Sequence, residues 1–134
     1  MEVSGPWAAL PAVHRATIDA LSSIEGVRAA SAHQSHAYTD GACLYFTFAG
    51  RPPDGDRDAF YRRCWDAGTR AVLANGGSLS HHHGVGLNRS RFVADALDAS
   101  HQVLVAMKQV LDPNGILNPG KLGLPDPFGE VELP

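Results

Sequence analysis

Residues 42–49 read Ala-Cys-Leu-Tyr-Phe-Thr-Phe-Ala, an uncharged run rich in aromatic and β-favouring residues. Thr39-Asp40-Gly41 supplies a hairpin-type turn before it, and the proline- and glycine-containing residues 50–56 supply a loop after it. The run is therefore the clearest strand of the chain, and its alternation restricts everything packed around it. Leu44, Phe46 and Phe48 fall on one face, which needs covering by helices. Cys43, Tyr45 and Thr47 fall on the other. A phenol, a thiol and a hydroxyl on an uncovered face suit a surface that meets something polar. The same pattern also suits a tyrosine at a sheet edge with its hydroxyl in water.

The remaining elements follow from periodicity. Ser4 as cap and Pro6 in the first turn predict a helix over residues 7–24, ended by Gly26. Its buried stripe is Leu10, Val13, Thr17, Ile18, Leu21 and Ile24. Residues 27–37 alternate weakly, as a strand would. A second helix is predicted over residues 58–74, stopped by Asn75-Gly76-Gly77, and a third over residues 91–111. Asn118-Pro119-Gly120-Lys121 then opens an irregular tail. The expected class is α+β, with a small antiparallel sheet covered on one face by helices. The 134 residues, 44% of them hydrophobic, suffice for one compact domain.

The charge is near balance, at −3, and Lys and Arg form no block, so a nucleic-acid partner is not expected. No apolar run approaches the roughly 20 residues of a membrane span, and residues 1–6 do not read as a secretory signal. Cys43 and Cys64 are expected as reduced, buried thiols, and the protein as cytoplasmic.

The chemistry is expected at Ser78-Leu79-Ser80-His81-His82-His83-Gly84-Val85-Gly86, where three of the seven histidines precede a Gly-x-Gly turn. An extended segment would place His81 and His83 on one side and His82 on the other. A zinc site needs three or four converging ligands, and adjacent residues of an extended chain do not converge. With no HExxH and no CxxC, no metal site is expected. Structural histidines bonded to the backbone remain one reading of the run, and a catalytic or anion-binding role another.

Residues 38–46, residues 74–86 and the ending Leu111-Asp112-Pro113-Asn114-Gly115-Ile116-Leu117-Asn118-Pro119-Gly120-Lys121-Leu122 resemble the C-terminal part of FAD-linked oxidases of the vanillyl-alcohol-oxidase type. The first two segments are most similar to alkyldihydroxyacetonephosphate synthases. The resemblance covers residues 4–122. It implies that Tyr45 is the acid/base and that His81, His82 and His83 line the active site near the substrate phosphate and the flavin. It also implies that Asn118 is a flavin contact. The implied reaction replaces the acyl group of an acyl-dihydroxyacetone phosphate with a fatty alcohol, an exchange of ether-lipid synthesis.

The cofactor implied is FAD, bound mainly by an N-terminal domain to which nothing here corresponds. Residues 1–134 are thus expected to be one partial domain, a substrate or cap domain that is inactive alone. Its expected partners are a flavin-binding domain or subunit and a small-molecule substrate, with self-association through the bared face. Two alternatives stand beside this one. The domain could serve another FAD-linked oxidase, acting on a 2-hydroxy acid or alcohol, or it could be a non-catalytic remnant.

Overall fold

The computed structural model describes residues 1–53 and 55–129. They fall into two compact units, Met1–His83 and Gly84–Pro134, of which the second is described here to residue 129.

The first unit is an α+β layer pair. β1 (Glu2–Pro6), β2 (Val27–Ala37) and β3 (Gly41–Gly50) form an antiparallel sheet in the order β1-β3-β2. β3, the strand most evident in the sequence, is its centre. Gly41 is needed where β3 begins, because a Cβ there would lie 2.3 Å from the Gly5 carbonyl oxygen of β1. α1 (Leu10–Ser22) and α2 (Arg57–Ala74) cover one face. Ala42, Leu44 and Phe46 of β3 share a core with Val3, with Leu10, Val13 and Leu21 of α1, and with Phe60, Cys64 and Val72 of α2. Phe48 packs at its border. The alternation predicted for residues 42–49 is the one observed.

α2 is capped as its sequence prescribes. Asp56 accepts a hydrogen bond from the Ala59 N–H at 3.0 Å, and the helix ends at Asn75. Gly26 closes the turn after α1 at φ +94°, a conformation that suits glycine.

The start of the chain departs from expectation. Ser4 and Pro6 do not begin a helix; they belong to β1, paired with Cys43 and Gly41. β1 is an edge strand and Pro6 its last residue, so the missing N–H costs the ladder nothing. α1 starts at Leu10 after Ala9, which makes no side-chain cap, and Pro11 supplies the first-turn proline. The histidine segment also differs. Ser78 makes a single antiparallel bridge to Ser4, with its N–H 2.7 Å from the Ser4 oxygen, and residues 79–83 then bend away from the ladder.

In the second unit the helix expected over residues 91–111 is broken in two, and a further short helix lies before it. α3 (Gly86–Ser90) and α4 (Val93–Leu97) precede α5 (Ser100–Leu111). Asp98, at φ +47°, breaks the run between α4 and α5. The apolar side of α5 is largely exposed: Val103, Met107, Val110 and Leu111 are 61%, 54%, 79% and 73% exposed. Beyond α5 the Asp112 carboxylate accepts the Ile116 and Leu117 N–H groups at 3.1 and 2.9 Å and pairs with Lys108. Lys108, and then these backbone bonds against the opposing effect of burial, hold Asp112 below its usual range. The turn so formed leads to Asn118, exposed and at φ +47°, a left-handed conformation that asparagine tolerates. Among the described residues no helix is long and apolar enough to cross a membrane.

Candidate active site

The site lies on the face of the sheet that α1 and α2 leave open. Register pairing puts Glu2, Tyr45 and His33 in one row across the three strands, with Ser4 and Cys43 in the next. The His33 ring stacks on Tyr45 at 5.2 Å with 10° between planes, which holds the phenol's orientation.

The segment 80–83 is drawn over this face by one carboxylate. Glu2 is 1% exposed. Its oxygens accept the Ser80 hydroxyl at 2.6 Å, the His81 N–H at 2.6 Å, the His82 N–H at 3.1 Å and the Cys43 thiol at 3.6 Å. Burial alone would raise its pKa. The four donors together outweigh burial and bring it down to about 2. These bonds explain the bend: backbone N–H groups turned toward a carboxylate do not continue a ladder.

The bend overturns the expected alternation of the histidines. His82 and His83 both reach Tyr45, with Nε2 atoms 2.9 and 3.1 Å from the phenol oxygen. His81 joins at one remove, its Nδ1 2.7 Å from His82 Nδ1. His36 borders the cluster, its ring 5.0 Å from that of His82. Tyr45, His81, His82 and His83 are thus brought together within the first unit. Asn118 belongs to the second.

Tyr45 and His82 shift in opposite senses. Burial, and then the charges of Cys43 and Glu2, push the phenol above its usual value, so it stays protonated at neutral pH. Burial and the neighbouring His83 push His82 down, against the opposing pull of Glu2, so it stays neutral. A protonated phenol beside a neutral imidazole within hydrogen-bond reach is a donor–acceptor pair fit for general acid/base work.

One ligand atom from each of His36, Cys43, His81 and His82 lies within 4.8 Å of the others. Metal-type donors therefore do converge here, which the extended reading did not foresee. Their protons are already engaged, however. His81 and His82 share one hydrogen bond, and the Cys43 thiol donates to Glu2. Burial, and then the Glu2 charge, push that thiol up to about 11, so it is held as S–H at neutral pH.

The residue that sequence reasoning missed is Glu2. Its one signal was a polar–apolar–polar alternation over Glu2-Val3-Ser4, too short to stand against the helix-start reading of Ser4 and Pro6.

The depressed Glu2 carboxyl ties stability to pH. Its contribution is complete above its ordinary pKa of 4.5 and is lost as pH falls from there toward about 2. A shift of that size is worth roughly 3 kcal/mol. Urea unfolding of the wild type and of Glu2→Gln should therefore show a stability difference that shrinks by about that amount across this window. A difference independent of pH would refute it.

Comparison with known proteins places the chain in a family. The family described as "FAD linked oxidases, C-terminal domain" matches residues 1–122. Alkyldihydroxyacetonephosphate synthase of Trypanosoma brucei brucei is 37% identical over 107 residues, 76% of this chain and 17% of that protein. The Dictyostelium discoideum enzyme of the same name is 40% identical over 92 residues, 68% of this chain and 15% of that protein. D-2-hydroxyglutarate dehydrogenase of Stutzerimonas stutzeri is 34% identical over 76 residues, 54% and 16% of the respective chains. The chain thus spans less than a fifth of the length of these relatives. Residues 1–122 belong to the family of FAD-linked oxidase C-terminal domains.

Proposed function

We propose that this domain supplies the acid/base side chains of an alkyldihydroxyacetonephosphate synthase-like enzyme. That enzyme would exchange the acyl group of an acyl-dihydroxyacetone phosphate for a fatty alcohol. The observation that carries the reading is the Tyr45 hydroxyl set between the Nε2 atoms of His82 and His83 on the open sheet face.

The family implies FAD, and the residues of this chain fit only part of it. A pyrophosphate cradle needs a glycine-rich turn between a strand and a helix N-terminus. The link from β3 to α2 is built otherwise. It holds Pro52 and Pro53, and Gly50, the last residue of β3, is packed against the Gly26 carbonyl, which a Cβ would approach to 2.3 Å. The nucleotide is therefore assigned to a flavin-binding partner domain, and Asn118 is carried as a contact to the flavin. The flavin, when bound there, provides the electrophilic ring on which the substrate carbon is activated.

What this chain does is move and hold protons. Tyr45 gives its proton to a leaving oxygen, or passes it to His82 while taking one from the substrate carbon. The neutral His82 is the acceptor in the second case, and His83 holds the phenol oxygen from the other side. The imidazoles also offer N–H groups to a substrate anion. The exposed apolar stripe of α5, Val103, Met107, Val110 and Leu111, supports an association with a further domain or copy.

The test is reconstitution. The chain is joined to the flavin-binding domain of a synthase relative and given an acyl-dihydroxyacetone phosphate and a fatty alcohol. Alkyl product and free fatty acid in equal amounts are expected. Flavin reduction by a D-2-hydroxy acid without such exchange would instead favour a dehydrogenase, the reading to which the D-2-hydroxyglutarate dehydrogenase relative points.

A further inference from the structure

Glu2 faces the same two imidazoles as Tyr45, but from the opposite side. Its Oε1 lies 3.6 Å from His82 Nδ1, and its Oε2 lies 4.0 Å from His83 Nδ1. The Nε2 atoms of both rings meet the phenol. A buried carboxylate, an imidazole and a phenol therefore stand in line. The distances from Glu2 to the rings exceed a hydrogen bond, so its action on them is electrostatic. A negative charge beside Nδ1 favours the tautomer with its proton there, and that tautomer leaves Nε2 as a lone pair.

We propose that Glu2 is the positioning residue of this site, fixing segment 80–83 over the sheet and selecting the Nδ1–H tautomer of His82 so that Nε2 accepts the Tyr45 proton. The phenol has one proton to give and two lone pairs to accept with. It donates to Nε2 of His82, whose Nδ1 lies nearer Glu2 at 3.6 Å, and accepts from His83, which lies 4.0 Å from Glu2 and takes the Nε2–H form. His81 Nδ1, 2.7 Å from His82 Nδ1, then takes the acceptor role toward the Nδ1–H. Glu2 stands beside Tyr45 in the row across the sheet but is covered by segment 80–83. Its 1% exposure leaves it out of reach of a substrate, so it works through the imidazoles. The same carboxylate performs both tasks: Ser80 and the two backbone N–H groups hold it in place, and its charge orients the ring.

The inference rests on the Tyr45–His82 pairing above, and its test needs no turnover, so the two can fail separately. Nitrogen-15 NMR of the histidine rings in the purified chain reports which nitrogen carries the proton. The wild-type His82 ring is expected mainly as Nδ1–H. In Glu2→Gln the ratio of Nδ1–H to Nε2–H forms should fall roughly tenfold or more, with the signals of β2 and α1 unchanged. A wild-type ring protonated mainly at Nε2 overturns the proposal, and so does an unchanged ratio in folded Glu2→Gln. If Glu2→Gln does not fold, His81→Ala decides. That substitution removes the imidazole sharing His82 Nδ1 and keeps Glu2. The ring stays Nδ1–H if Glu2 sets the tautomer and switches if His81 did.

Discussion

Tyr45→Phe is expected to leave the fold intact and to lower turnover of the reconstituted enzyme by about 10²–10⁴-fold, the usual worth of a positioned acid or base. The substitution removes one hydroxyl from the open face and keeps the ring that stacks on His33. The Nε2 atoms of His82 and His83 lose a shared partner, but both rings are nearly half exposed, at 41% and 48%, and water replaces it. Far-ultraviolet circular dichroism and the urea midpoint should match the wild type. Unchanged turnover would remove Tyr45 from the mechanism. A large loss of stability would mean that the hydroxyl is structural.

Phe46→Ala should do the reverse. Phe46 is 2% exposed and sits one residue along β3, on the face that α1 and α2 cover. Its neighbours are β-strand and helix side chains tied into one cluster, which cannot close around the gap. The expected loss is about 3–5 kcal/mol, a large share of the roughly 5–15 kcal/mol available to a domain. Urea unfolding measures it directly. A cost under about 1 kcal/mol would show that this face is not the core.

The two substitutions are adjacent in sequence and opposite in effect because a strand alternates, and that is why this part of the protein was legible. β3, its two faces, the helix after it and the caps of that helix all follow from local rules. The start of the chain did not, because β1 is a five-residue edge strand ending in Gly5-Pro6, and a serine before a proline reads equally well as a helix start. Pairing with β3 decides between them, and pairing is not local. The helix break at Asp98 was hidden for a similar reason: Leu97 and Leu104, on either side of it, stay in helical phase.

The site was half legible. The side of the sheet that holds Tyr45 could be read from period two. That His82 and His83 meet it could not, since alternation sends neighbours apart. Their convergence is imposed by a carboxylate 79 and 80 positions earlier, bonded to the His81 and His82 N–H groups. The resemblance of the motifs named the residues, and the long-range bonds supply the reason they face one another.

That separation gives assembly an order. The β2–β3 hairpin closes over a few residues and brings His33 beside Tyr45 early. The clamp of Glu2 on residues 80–82 closes almost the full length of the unit, a later and entropically dearer step. A nascent chain can thus present its phenol long before it has a base to receive the proton. Until residue 83 has emerged and settled against the first strand, the growing polypeptide has Tyr45 without the imidazoles of His82 and His83 beside it.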